Sequence, residues 1–399
     1  MRVSLAVIAV LAASMSWTTV AMAADGAAQQ PAKAAAAESK ATGVAAQKPA
    51  RVKPAYPDGQ IRGVFGLLPT TDNRETGLRQ IEASVDKCRA GGLNSIFVSV
   101  SSRYLAALDD PKFQTDKLKV SWDALGELIR AAKKQNIQVH AWYSPWIRKE
   151  KARAVELELH PEWAALTAKG VVSPKGVLCF VRPEVRQFEL DVLSKMMDRY
   201  PDLAGIHIEE PGYRHEDDFC YCDRCRAFCR KNFGLDIRKN LEDSKPTVHS
   251  LAAFMCTDFF IRLRKIMNEK RPDMWLSANG GYNDAEWFMG RDWHNWARRG
   301  LIDFYMPQIY CRKSASFASR AAMTKQSLGG CDMVPIIGVS WQAIAPEKKP
   351  PEAIKMEITA AQKLGTKGFA VFCERVLDDA HYQAIHEAIR KKPTSATEP

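Results

Sequence analysis

The chain has 399 residues, 46% of them apolar, a formal net charge of +11 and ten cysteines. That apolar content can build a large core. No lysine–arginine run is long enough, and no aromatic–basic stripe is present, to point to nucleic acid as a partner, and so modest a basic balance favours acidic ligands only weakly.

The chain opens MRVSLAVIAVLAASMSWTTVAMA, with Arg2, an apolar stretch from Val3 to Ala13 and a small-x-small site at Ala21-Met22-Ala23. This pattern predicts a secretory signal peptide over residues 1–23, and so a protein exported to the periplasm or the extracellular space. The apolar stretch is too short to cross a bilayer and no stop-transfer flank follows it, so no stable membrane span is expected. Residues 24–58 are rich in Ala, Gln, Lys and Pro without apolar periodicity, and read as a disordered linker. A single domain is expected over 59–392, with a short tail at 393–399.

Eight short apolar runs follow: Gly63–Leu68, Leu93–Val100, Gln138–Tyr143, Ala204–Ile208, Met274–Ala278, Leu301–Met306, Met333–Val339 and Gly368–Phe372. Helical periodicity fills the gaps, as in Leu78, Ile81, Val85 and Cys88, or Ile354, Ile358, Ala361 and Leu364. Turn signals such as Gly91-Gly92, Pro201-Asp202 and Gly329-Gly330 precede the strands. Strands alternating with helices pair in parallel through right-handed crossovers, and eight of them predict a closed (β/α)8 TIM barrel. A doubly wound open sheet would want a Gly-rich phosphate turn after its first strand, and LLPTTDNRETG offers none. The connections Trp146–Val181 and Pro211–Ser250 are long and leave the C-terminal ends of strands, where a barrel carries its site.

The fourth run, AGIHIEEPGY, ends in two carboxylates. Alternation sends Ile206 and Ile208 toward the helices and points His207 and Glu209 into the barrel, with Glu210 at the lip before Pro211. A carboxylate there is either a charged nucleophile or a neutral proton donor, depending on its partners. Other strand ends contribute Asn279 and Tyr282, Gln308 and Tyr310, Trp341, and Glu374, the best-placed second carboxylate. Asp303, at the start of its strand, reads as structural. Aromatic residues crowd the same rim: Trp142, Tyr143, Trp146, Trp163, Tyr213, Tyr282, Trp287, Tyr310 and Trp341. Flat rings with polar handles suit the C–H faces of sugars, so a carbohydrate cleft is expected.

Just beyond lies Cys220-x-Cys222-x-x-Cys225. Three thiolates from one tight loop need one more sulfur to complete a tetrahedral structural zinc site, and both Cys179 and Cys229 are candidates. Disulfides are the rival in an oxidising compartment.

A strand ending in an acid, followed by a Gly-Tyr loop and CYCDRCRAFCRKNFG, resembles the family 42 β-galactosidases. The setting Cys179-Phe180-Val181-Arg182-Pro183 partly matches an earlier cysteine of that family. The resemblance implies Cys179, Cys220, Cys222 and Cys225 as zinc ligands and Glu210 as general acid/base. Along the whole chain, His140-Ala141-Trp142, His160-Pro161-Glu162-Trp163, Pro183–Arg186 and Gly205–Glu210 resemble the family-10-like glycosyl hydrolases. This implies a barrel acting on glycosidic bonds. The sequence departs from the galactosidase pattern at Glu209, where an Asn is expected, and at Val339-Ser340-Trp341, which lacks the nucleophilic Glu. The retaining mechanism therefore does not carry over intact. A carbohydrate-binding protein on the same barrel is the alternative to a hydrolase, with Glu210 as donor and Glu209 as its nucleophile, base or electrostatic partner in the hydrolase reading.

Overall fold

The computed structural model describes residues 52–390 apart from 114–119, 147–154, 175, 214–218, 240 and 341–347. The expected signal peptide, most of the expected linker and the tail at 393–399 lie outside these residues. Its strands are β1 (Ile61–Leu67), β2 (Ser95–Val100), β3 (Gln138–Tyr143), β4 (Gly205–Ile208), β5 (Trp275–Gly280), β6 (Phe304–Ile309), β7 (Asp332–Met333), β8 (Ile336–Gly338) and β9 (Gly368–Phe372). Neighbours pair in parallel all the way round, from β1 through β5 to β6, then through β8 and β9 back to β1.

The expected closed eight-stave (β/α)8 TIM barrel is therefore present, as one domain. The seventh run, expected as one strand, is split. Met333 pairs with Tyr305 and Ile336 with Gln308, both on β6, and Pro335 between them has no N–H to give the ladder.

The helices are α1 (Arg74–Ala90), α2 (Ser102–Asp109), α3 (Ala124–Lys134), α4 (Val155–Leu159), α5 (Pro183–Arg199), α6 (Asp223–Phe233), α7 (Leu241–Lys270), α8 (Trp293–Arg298), α9 (Ala315–Ser327), α10 (Pro351–Lys363) and α11 (Asp379–Arg390). Local chemistry sets their ends. The Asn73 side chain accepts from the Thr76 N–H to start α1, and Pro183 stands in the first turn of α5, where a missing N–H costs nothing. The apolar stripes face the strands: Ile81, Val85 and Cys88 of α1 are buried, as are Ile354, Ile358 and Ala361 of α10.

Strand alternation divides the apolar residues into two cores. Ile206, Ile208, Ile96 and Val98 pack with the helices in the outer one. Ile61, Phe65, Phe97, Phe304, Met306, Ile336 and Ala370 fill the barrel. Large and small residues interleave there. A Cβ on Gly63 would come within 2.7 Å of the Phe97 ring, and one on Gly205 within 2.3 Å of His140 Nδ1.

Two histidines lie among these rings, both wholly buried. His140 meets the Tyr56 hydroxyl through Nε2 at 2.7 Å, and His207 meets the Ser277 hydroxyl through Nδ1 at 2.9 Å. Tyr56 belongs to the segment expected to be disordered linker. There Tyr56 is buried against the barrel interior and Lys53 pairs with Asp303. Asp303 holds the base of the barrel, as expected, accepting from the Leu276 N–H at 2.7 Å and pairing with Arg264 at 3.2 Å.

Candidate functional site

At the C-terminal mouth the β4 ladder runs one residue past the strand, because the Glu209 N–H donates to the Tyr143 carbonyl at 2.9 Å. Glu209 thus keeps the inward parity of His207, and its side chain enters the barrel 9% exposed. Trp142 Nε1 donates to Glu209 Oε2 at 2.6 Å, and Asn279 Nδ2 donates to the same oxygen. Two N–H donors on one oxygen favour the charged carboxylate.

The chain then turns. Glu210 takes φ +40° and donates its N–H to Asn279 Oδ1 at 2.7 Å. This left-handed turn takes Glu210 out of the strand alternation and leaves it half-buried where the ladder ends. Asn279, itself 1% exposed at the end of β5, therefore bonds both residues, the Glu209 carboxylate through its amide hydrogen and the Glu210 backbone N–H through its oxygen.

Tyr310 closes the cluster from the end of β6. Its phenol is held well above the usual range by burial and then by the charges of Glu209 and Glu210. The Phe372 ring lies 5.9 Å from both Tyr310 and Trp142. Gln308 is half-buried on the same inward-facing row of β6 as Met306 and Tyr310.

Several residues expected in the cleft are elsewhere. His207 lies one layer down as part of the floor, against Phe65 and Phe97, where burial holds its imidazole well below the ordinary range. Tyr143 follows the opposite parity to Trp142, and its hydroxyl bonds Glu189 of α5 in the helical layer. Tyr213 is buried beside the cysteines, between Phe180 and Phe219. Tyr282 lies against α9, with the Arg320 guanidinium 4.6 Å from its ring centre.

Glu374 leaves the ladder at Cys373 and opens a 3-10 turn, Glu374–Val376. Its carboxyl reaches Ser84 of α1, and burial raises it above the usual carboxylate range. It is not part of the carboxylate pair. Trp341 lies outside the described residues.

Sequence reasoning missed Arg291. It is buried, pairs with Glu286 and donates Nη2 to the Tyr213 carbonyl at 2.9 Å, and Glu286 and Glu210 help keep it charged against its burial. Nothing about an arginine following Gly290 marks it in the sequence; the fold alone brings it to the β4 loop.

The cysteine cluster is assembled from two segments. Cys179 precedes α5, and Cys220, Cys222 and Cys225 surround the start of α6. All four are buried, with sulfurs within 4.8 Å of one another. Cys179 lies 3.6 Å from Cys222 and 3.6 Å from Cys225, and Cys222 lies 3.7 Å from Cys225. A tetrahedral metal bonded to sulfur at about 2.3 Å has sulfur–sulfur edges of about 3.8 Å, whereas a disulfide needs about 2.05 Å.

The donor set therefore fits a metal, and none of the ten cysteines is in a disulfide. The start of α6 adds a favourable dipole for thiolates. Of the two candidates for the fourth ligand, the structure selects Cys179. Cys229 is buried on the same face of α6 as Cys225 but one turn further on, about 5.4 Å along the axis, and is outside the cluster.

The barrel agrees with comparison to known proteins. The chain is similar to the glycosyl hydrolase DigH of Escherichia coli K12, 23% identical in an alignment 286 residues long that covers 62% of this chain and 62% of that one. It is also similar to the glycosyl hydrolase YngK of Bacillus subtilis, 22% identical over 47% of this chain and 39% of that one. The chain thus spans less than two thirds of the length of these relatives.

In three dimensions it matches α-L-fucosidase isoenzyme 2 of Paenibacillus thiaminolyticus, with a TM-score of 0.59, 18% identity and coverage of 82% of this chain and 48% of that one. It also matches Gan42B, a GH42 β-galactosidase of G. stearothermophilus, with a TM-score of 0.59, 14% identity and coverage of 82% and 55%. Identities this low speak for the fold alone. A family model described as glycosyl hydrolase-like 10 matches residues 79–335, well over half of the chain, and the chain belongs to that glycosyl hydrolase-like family.

Proposed function

We propose that the protein is an exported glycoside hydrolase that cleaves a glycosidic bond in a poly- or oligosaccharide by carboxylate chemistry. One observation carries this reading: Glu209 and Glu210 lie side by side at the barrel mouth, where Asn279 bonds the Glu209 carboxylate and the Glu210 backbone N–H, Trp142 donates to Glu209, and Tyr310 feels the charge of both acids. Glu210, at the lip, gives its proton to the leaving-group oxygen as the anomeric C–O bond breaks. Glu209, charged and fixed by its two N–H donors, stabilises the positive charge on the sugar or takes it as a covalent bond, and water completes the exchange. Trp142 and Tyr310 offer flat faces to a sugar ring. Cys179, Cys220, Cys222 and Cys225 hold a structural zinc ion, since four sulfurs leave no coordination position open to substrate.

The test is a screen of polysaccharides and chromogenic glycosides, run beside a metal determination on the same sample. Cleavage of one glycan class, abolished in Glu210→Gln with binding retained, is the expected result, together with one zinc per chain. A second reading, a carbohydrate-binding protein that does not cleave, is favoured by the end of β8. There Gly338 leads to Val339-Ser340 and brings no acid to the mouth. Glycan binding by the wild type without any cleavage would decide for it.

A further inference from the structure

We propose that Tyr213 is a positioning residue, a strut that ties the geometry of the cysteine knuckle to the carboxylate of Glu210. The inference rests on reading Glu210 as the reacting acid, and it begins with the short chain between them. Pro211 has a fixed φ. Gly212 takes φ +109°, and a Cβ there would lie 2.1 Å from the Met289 carbonyl oxygen. The Gly212 carbonyl accepts from Trp146 Nε1 at 3.2 Å. The Tyr213 N–H donates to the Met289 carbonyl at 2.7 Å, and its own carbonyl accepts from Arg291 at 2.9 Å. Glu210 is clamped at the other end by Asn279. A chain so pinned has no slack, so a displacement of Tyr213 passes to Glu210.

Both cysteine-bearing segments grip the Tyr213 side chain. Phe180, next to Cys179, packs on its ring at 4.7 Å between centroids, and Phe219, next to Cys220, packs at 4.9 Å. The Cys220 N–H donates to the Tyr213 hydroxyl at 3.2 Å. The side chain is 2% exposed, so it meets these segments rather than a substrate. A tyrosine needed only for packing could be phenylalanine; here the hydroxyl satisfies a buried backbone N–H of the knuckle itself. The cysteine cluster therefore has a second role besides stabilising the loop: it sets the position of the acid.

The experiment needs no substrate. Full-length protein carrying glutamate labelled with carbon-13 at the carboxyl carbon is titrated by NMR, with Glu210 and Glu374 assigned from Glu210→Gln and Glu374→Gln. In Tyr213→Phe the Glu210 midpoint should move by more than about 0.5 pH unit, with Glu374 unmoved and metal content unchanged. Blocking the four cysteines of the wild type with a mercurial should move the same resonance, which provides a readout if the variant does not fold. If a cleaved glycan is in hand, kcat should fall about tenfold with KM within about twofold, the signature of a misplaced group rather than lost binding. A Glu210 resonance unmoved both in the variant and after mercurial treatment overturns the proposal, even where the melting temperature falls. A resonance that moves in a protein that cleaves no glycan upholds the strut and overturns the hydrolase reading instead.

Discussion

Two strands of this barrel bring a glutamate to its C-terminal mouth, and only one points it inward. At the end of β4 the ladder reaches Glu209 itself, through its N–H to Tyr143, so parity is preserved and the carboxylate points inward. At the end of β9 the last rung is the Phe372 carbonyl, which accepts from Val339, and the chain enters a 3-10 turn at Glu374. Freed from the ladder, Glu374 turns to Ser84 on α1, in the helical layer. A Cβ on Gly66, on the outward face of β1, would lie 2.8 Å from its carboxyl oxygen. An acid at a strand end is therefore aimed by the last hydrogen bond before it. Position along the sequence does not do this.

The strongest test of this contrast removes each acid in turn. Glu209→Gln, like Glu210→Gln beside it, should lower kcat on a cleaved glycan by about 10²–10⁴-fold, while Glu374→Gln stays within about twofold. Steady-state kinetics on these variants decide it, and a large loss in Glu374→Gln would place the second carboxylate at β9 after all. A finer test uses Asn279→Asp, which puts a third carboxylate against Glu209 and Glu210. Like charges raise one another's pKa, so the acidic limb of the pH–rate profile should shift to higher pH and kcat fall about 10²-fold. An unshifted profile would mean that Asn279 does not touch the reacting groups.

This also explains how much was legible in advance. Hydrophobic runs and turn residues determined the barrel, because strand period and crossover chirality leave few alternatives. Parity correctly sent His207 and Glu209 inward. The same rule places Tyr143 in the helical layer beside Glu189, and the expectation of a sugar-facing Tyr143 set it aside in favour of residue type. What the pattern did not hold was irregular backbone: the left-handed turn at Glu210, the split at Pro335, and the exit of β9 at Cys373. Nor did it hold long-range partners such as Arg291 or Tyr56, which arrive from loops and termini without periodicity. The cysteines were half legible. Their spacing gave three members of the sulfur cluster, and the fourth depended on whether Cys179 or Cys229 comes within sulfur–sulfur contact, which only the fold determines.

That choice yields a test of intermediate size. Cys222→Ser removes a ligand from the closed set and should abolish stoichiometric metal binding, with a fall in melting temperature of more than about 5 °C if metal binding supplies even a small part of its usual free energy. Cys229→Ser, one helical turn away, should bind metal as the wild type does. Metal analysis on the two purified variants suffices, and loss of metal from Cys229→Ser would return the fourth ligand to α6.

The smallest expected effect concerns the floor beneath Glu209, where His140 and His207 replace what would be aliphatic layers in an ordinary barrel. Burial holds His140 down to about 3 from 6.5, and holds His207 well below its ordinary value, with His140 adding to the effect. The sign follows from proton uptake. Below pH 6.5 the unfolded chain binds a proton at each histidine that the folded chain refuses, so stability is full above pH 6.5 and falls as the solution is acidified toward the folded-state values. At pH 5 the loss from His140 should be about 2 kcal/mol, with His207 adding in the same direction. Most carboxylates are still ionised in both states in that window, which leaves the histidines as its main source. Urea unfolding at pH 7 and pH 5 should show the drop in the wild type, and His140→Asn should remove about 2 kcal/mol of it. The Tyr56 hydroxyl that meets His140 Nε2 at 2.7 Å can serve an asparagine amide less well, so the variant should be weaker at pH 7 and yet flatter with pH. A variant equally steep between the two pH values would mean that His140 takes up its proton inside the barrel, and the floor under the carboxylates would then be wetter and more polar than its aromatic walls imply.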